Sequence, residues 1–97
     1  MLRSKSVEVS VVGLVALREG HYRFAVCYSM HDDEIEIRAC RAIWDGSHVA
    51  DVLPPFVVLP SGRRRAQVRW SESMRERIRV AVETAITAYP ECREAAQ

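Results

Sequence analysis

The sequence predicts an α+β fold, a small antiparallel β-sheet of about five strands with one long C-terminal helix packed on it. Two patterns support this prediction. Up to residue 43, apolar side chains alternate with polar ones, which is the period of half-buried strands. From residue 74, apolar residues recur at spacings of three and four, which is the period of an amphipathic helix.

Three strands are expected in the first half of the chain, joined by turns at 18–20 and 31–34. In the first, from 6 to 17, the alternation shifts phase at Val11 and Val12, which predicts a β-bulge there. The second strand places its larger side chains on one face: Tyr22, Phe24, Val26, Tyr28 and Met30. The third is expected to place Ile35, Ile37 and Ala39 on one face and Glu36, Arg38 and Cys40 on the other. Together the three should form an antiparallel meander.

The next segment, 48–59, follows an Asp-Gly-Ser turn and is expected to be irregular before a short strand, because Pro54 and Pro55 cannot donate to a central ladder. Pro-Ser-Gly at 60–62 then predicts a hairpin turn, and a fifth strand is expected over 63–70. Its alternation separates two sets of side chains: Arg64, Ala66, Val68 and Trp70 on one face and Arg65, Gln67 and Arg69 on the other.

The helix is predicted to begin at Ser71, or at a capping box formed by Ser73 and Glu76, since either satisfies free backbone N–H groups. Pro90 should end it. The apolar stripe that can cover a sheet consists of Met74, Ile78, Ala81, Val82, Ala85, Ile86 and Tyr89.

The composition, 48% hydrophobic and 28% charged, is that of a single globular domain over 1–97, with an ordered core from about 6 to 90 and short tails. Three cysteines without CxxC spacing predict neither a disulfide framework nor a zinc site, and reduced thiols fit a cytoplasmic location. No apolar run is long enough to span a membrane. With no phosphate loop or catalytic set readable, the protein is expected to be no enzyme and to use no cofactor, metal or small-molecule substrate.

Aromatic and acidic residues suggest two further sites, each with a simpler structural interpretation. Aromatic rings can stack on unpaired bases. The alternation places Tyr22, Phe24 and Tyr28 in the core, whereas it does not decide between core and surface for Trp44 and Trp70. The favoured interpretation of the HDDEIE segment at 31–36 is a solvated turn. Its carboxylates could also interact electrostatically with the Arg cluster of a second subunit. As a loose metal-like cluster it would use His31, Asp32, Asp33 and Glu34.

Half of the basic charge lies between residues 63 and 79, where seven arginines are balanced only by Glu72 and Glu76, giving +5 in a chain of net charge +1. Guanidinium groups match phosphate oxygens, and a helix start adds to the attraction. The residues expected to bind nucleic acid are Arg63, Arg64, Arg65, Arg69, Arg75, Arg77 and Arg79. The alternative is a solvated hairpin with local ion pairs, such as Glu76 with Arg79.

Three stretches between 35 and 82 carry a family likeness: IEIRACRAIWDGSHVADVLPPF, PSGRRR and MRERIRVAV. The residues that fall at the family's spacing are Arg41, Ile43, Pro54, Arg75, Ile78, Ala81 and Val82. In these stretches the chain resembles the SpoVG family, the stage V sporulation protein G or septation-regulator group, although GlnValArgTrp stands where that family usually has an Asp and a His-Pro pair. The resemblance implies a small α+β fold, a homodimer joined through strands, and a non-catalytic regulator that binds DNA or RNA through its basic C-terminal half.

The sequence therefore predicts a small dimeric bacterial regulator that holds DNA or RNA phosphates through an Arg-rich hairpin and helix start, with weak specificity and strong salt dependence. The alternative is a non-enzymatic interaction module that uses an exposed strand edge, with the arginines only a solvated rim.

Overall fold

The computed structural model describes residues 8–30 and 33–88. The elements are β1 (Glu8–Arg18), β2 (His21–Met30), β3 (Asp33–Trp44), β4 (Val49–Leu53), β5 (Phe56–Val58), β6 (Arg64–Ala66) and α1 (Glu72–Ala88). The first four strands form an antiparallel meander in the order β1-β2-β3-β4, while β5 and β6 form a separate two-stranded sheet. Helix α1 packs on one face of the larger sheet, so the predicted α+β class is confirmed.

Strand β4 corrects the expectation that the segment after residue 47 is irregular. Its backbone pairs with β3, and its Val49 and Val52 side chains are fully buried. The two prolines lie just beyond its last residue, Leu53, where no ladder bond is lost. Prolines therefore mark the end of an edge strand here, and a strand of five residues was overlooked because of them.

The predicted fifth strand is shorter than expected and does not join the meander. Only Arg64–Ala66 is extended and paired, and its partner is β5. The chain bends at Gln67, whose N–H donates to the carbonyl of Pro55 at 2.9 Å. Residues 68–70 then lead to the helix, and Trp70 lies in the core.

Two bulges flank the middle of β2. In β1, Gly13 has a φ of 63° between the pairs Val12↔Ala25 and Val15↔Arg23, one residue beyond the predicted position. In β3, Ala39 has a φ of 62° at the corresponding level. This second bulge was not predicted, and it shifts the alternation of β3.

The shift corrects the faces assigned in β3. Cys40 is fully buried and Ala39 is exposed, the reverse of the sequence expectation, because one extra residue turns the following side chains over. Ala42 and Trp44 then continue the buried row.

The core lies between the sheet and α1. Its β2 side chains Tyr22, Phe24 and Val26 are buried, as the alternation predicted. The helix contributes Ile78, Val82 and Ile86 from the predicted stripe. Ser71 is the N-cap, because its Oγ accepts the N–H of Met74 at 3.1 Å. Tyr89 and Pro90 lie outside the described residues.

The opposite side of the sheet is the open face, defined by Arg23, Ala25 and Cys27 of β2 and the residues paired with them. No described helix or strand packs on it. Cys27 and Cys40 are free thiols, and Cys92 lies outside the described part of the chain. Among the described residues there is no helix with the length and apolar character needed to cross a membrane.

Candidate nucleic-acid interface

The hairpin β5–β6 and the start of α1 enclose a groove of about 580 Å³. We call it the arginine groove; its lining residues are Pro54, Arg64, Arg65, Ala66, Gln67, Val68, Arg69, Trp70 and Arg75. Four of the seven predicted nucleic-acid contacts therefore meet at one place, although they come from a strand, an extended segment and a helix.

A tight turn positions the hairpin arginines. Leu59 donates its N–H to the carbonyl of Arg63 at 2.7 Å and accepts the N–H of Gly62 at 2.8 Å. Gly62 has a φ of 87°, a conformation that glycine adopts without steric cost. The next residue pair, Val58↔Arg64, begins the ladder, so the arginines follow directly from the turn.

Arg64 is further ordered by an aromatic ring. Its guanidinium carbon lies 4.7 Å from the centroid of Phe56, a distance typical of a cation–π contact. The ring is 38% exposed, so this contact lies at the protein surface. This role of Phe56 was not predicted from the sequence. It could have been found from the hairpin, because a turn centred on residues 60–62 places Phe56 opposite Ala66, close to Arg64.

Little negative charge faces this groove. Among the described residues, Arg64, Arg65 and Arg69 form no ion pair. Arg75 has a single weak one, at 4.0 Å from Asp51, with both side chains roughly half exposed. Exposed pairs of this kind contribute little stability. The four guanidinium groups are thus free to bind an external anion.

The other three predicted contacts are placed differently. Arg63 is exposed in the hairpin turn, and Arg77 is exposed on the helix; neither lines the groove. Arg79 is only 26% exposed and bonds to Glu76 at 2.7 and 2.9 Å. It also donates to Glu83 at 3.2 Å and to the carbonyl of Val49 at 3.3 Å.

Arg79 therefore belongs to a clip that joins α1 to β4. Glu83 completes the clip by accepting the N–H of Val49 at 2.8 Å. Hydrogen bonding to Glu76, with the nearby carboxylates, raises the pKa of Arg79, and the same bond lowers the pKa of Glu76. The local pair Glu76–Arg79, weighed as the alternative to nucleic-acid contact, is formed.

The large aromatic residues of the core are not available for base stacking. Tyr22 and Phe24 are fully buried. Trp44 and Trp70, whose placement the sequence did not decide, are also buried. The Trp70 indole N–H has no well-aligned hydrogen bond to a described residue. Its neighbour is the Tyr28 hydroxyl, whose pKa is raised by burial and, to a smaller extent, lowered by interaction with the indole.

The acidic turn is only partly described, because His31 and Asp32 lie outside the described residues. Glu34 accepts hydrogen bonds from the Cys27 thiol at 3.3 Å and from Ser29 at 3.4 Å. The bond to Glu34 raises the pKa of Cys27, since it favours the thiol over the thiolate. Within 8–30 and 33–88 there is no group of three His, Cys, Asp or Glu side chains that could hold a metal ion.

Comparison with protein families, curated proteins and solved structures found no match to this chain. The resemblance to the SpoVG family consequently stays a prediction. The meeting of four arginines in the arginine groove does not depend on that resemblance.

Proposed function

We propose that this chain is a small SpoVG-like regulatory protein that binds DNA or RNA by holding phosphates in the arginine groove. The observation that carries the proposal is the convergence of Arg64, Arg65, Arg69 and Arg75 on one groove with almost no carboxylate beside them. Guanidinium forks match phosphate oxygens in pairs, so four of them can follow a nucleic-acid backbone.

The groove favours backbone contact over base stacking. The described aromatic residues other than Phe56 are buried or half-buried, and the Phe56 ring already carries Arg64. Stacking platforms of the kind used for unpaired bases are therefore lacking in the described residues. Phosphate contacts fix position and carry no sequence information, so binding should be weakly specific and favour duplexes over single strands.

The test is fluorescence polarisation with short labelled DNA and RNA, single- and double-stranded, across a salt series. Four phosphate contacts predict a slope of log K against log salt of about −3.6, so affinity should fall about 150-fold between about 50 and 200 mM salt. Arg65→Glu/Arg69→Glu should bind far more weakly and with a shallower slope.

A matched control separates site from net charge. Arg18→Glu/Thr84→Glu/Thr87→Glu changes the charge by the same −4, and all three side chains are exposed outside the groove. The control should keep most of the wild-type affinity. Equal loss in both variants, or binding that ignores salt, would refute the groove as the contact site.

A second candidate function is an interaction module that offers a strand edge. Strand β1 is an edge strand, and its Val12, Val15 and Leu17 side chains are exposed. Edge strands of this kind can accept an added strand from another protein. Absence of nucleic-acid binding at low salt, together with a folded and soluble protein, would favour this candidate.

A further inference from the structure

We propose that the open face docks against the open face of a second copy of this chain, around a two-fold axis that lies between the two sheets, parallel to them and perpendicular to their strands. This inference does not rest on nucleic-acid binding. It differs from joining through strand edges, because side chains rather than backbone groups would make the contact.

One end of the open face is basic. Arg23 and Arg41 are directly opposite each other on β2 and β3, so their side chains lie side by side. Like charges in such a pair repel, and no carboxylate among the described residues is paired with either of them. The neighbouring members of the same row are Val15 and Leu53, which are apolar.

The other end is acidic. Ser29 of β2 pairs with Glu8 on one side and Glu34 on the other, and both carboxylates are exposed. Between the two ends the face carries Val12, Ala25 and Cys27 and, opposite Cys27, the Glu36 carboxylate, which forms an ion pair with Arg38. A shallow depression opens there, lined in part by Gly13 and Ala39 of the two bulges.

A two-fold axis superimposes these opposite ends. Arg23 and Ser29 are six residues apart on β2, which is about 20 Å of strand, and Val26 lies midway. An axis that crosses the strands at the level of Val26 places the basic row of one copy over the acidic row of the other, with β3 above β3 and Arg41 above Glu34. Stacked sheets lie about 10 Å apart, a gap that Arg and Glu side chains can bridge.

The area is close to the minimum for a specific dimer. Strands β1, β2 and β3, spaced about 4.8 Å apart and about 34 Å long, give roughly 490 Å² per copy, or about 1,000 Å² in total; β4 is short and lies at the basic end, so it is left out of this area. A specific interface is expected to bury at least about 1,000 Å². Docking would also cover Val12 and Val15, which pair with Ala25 and Arg23 on this face and are 41% and 43% exposed.

The experiment is charge-swap complementation measured by sedimentation equilibrium. One variant, Arg23→Glu/Arg41→Glu, has two acidic ends; the other, Glu8→Arg/Glu34→Arg, has two basic ends. Each alone should show a dimer dissociation constant at least about tenfold higher than that of the wild type, because every contact becomes repulsive and occurs twice by symmetry. An equimolar mixture should recover the dimer, since both ends are then complementary.

The control variant is Arg65→Glu/Arg69→Glu, which has the charge change of the first variant but lies in the arginine groove; it should dimerise like the wild type. A wild-type chain that stays monomeric at all concentrations overturns the proposal, as does failure of the mixture to recombine. Should a charge-reversed variant not fold, the wild type alone decides: a face-to-face dimer dissociates as salt rises, whereas a dimer paired through strand edges does not.

Discussion

The clip between α1 and β4 makes Arg79 a residue whose role can be tested against that of its neighbours. Replacing Arg79 by Met keeps the apolar stem and removes the guanidinium group. The substitution breaks the bonds to Glu83 and to the carbonyl of Val49, which lie at a partly buried junction. It leaves the Glu83 carboxylate with the Val49 N–H alone.

The expected cost is about 1–2 kcal/mol of unfolding free energy, the usual range for charged hydrogen bonds at partly buried sites after allowance for solvent screening. For a domain of 97 residues this corresponds to a fall in Tm of about 5–15 °C. Circular dichroism during thermal and urea denaturation measures both quantities. Nucleic-acid affinity, measured below the unfolding transition, should be unchanged.

The matched variant is Arg75→Met on the same helix. Its only ion pair with a described residue is the weak one to Asp51, so its stability should barely change, while its position in the groove predicts weaker nucleic-acid binding and a salt slope shallower by about one. The reasoning is refuted if Arg79→Met binds as poorly as Arg75→Met and melts like the wild type.

Backbone and thiol substitutions give the remaining predictions. Ala39→Gly should raise the unfolding free energy by about 1 kcal/mol, because glycine adopts a φ of 62° without strain. Gly20→Ala should lower it by about 1–3 kcal/mol, since the new Cβ would lie 2.9 Å from the carbonyl oxygen of Trp44 at a φ of 75°; Tm values of both variants check the signs. Burial raises the pKa of Cys40 from 9.0 to about 11, so the folded state holds a proton that the unfolded state releases first. Stability is therefore full below pH 9 and should fall by about 2 kcal/mol towards pH 11. Urea denaturation at several pH values should show a smaller decline for Cys40→Ala, and an identical decline would contradict the assignment.

Much of this fold was predictable because its strands are half-buried and its helix is amphipathic. Period-two alternation located β2 and its buried row, and spacings of three and four located Ile78, Val82 and Ile86. These patterns reflect which side chains face the core, so they persist without knowledge of the partners.

The features that escaped prediction depend on tertiary pairing. The bulge at Ala39 has no glycine to mark it, and only the pairing with β2 shows that an extra residue is present. Strand β4 was hidden by prolines that lie beyond its end. In the candidate site, charge density indicated the segment that lines the arginine groove, but the division between Arg75 in the groove and Arg79 in the clip required the position of Glu83 and Val49.

The bulge in β1 also bears on the tendency of this chain to aggregate. Strand β1 is eleven residues long, rich in valine and placed at the edge of the sheet, features that favour growth of cross-β fibrils. Fibril growth requires a flat edge along which identical chains can add in register. The bulge at Gly13 interrupts the regular ladder of β1, and an interrupted edge offers a copy only short stretches for pairing in register.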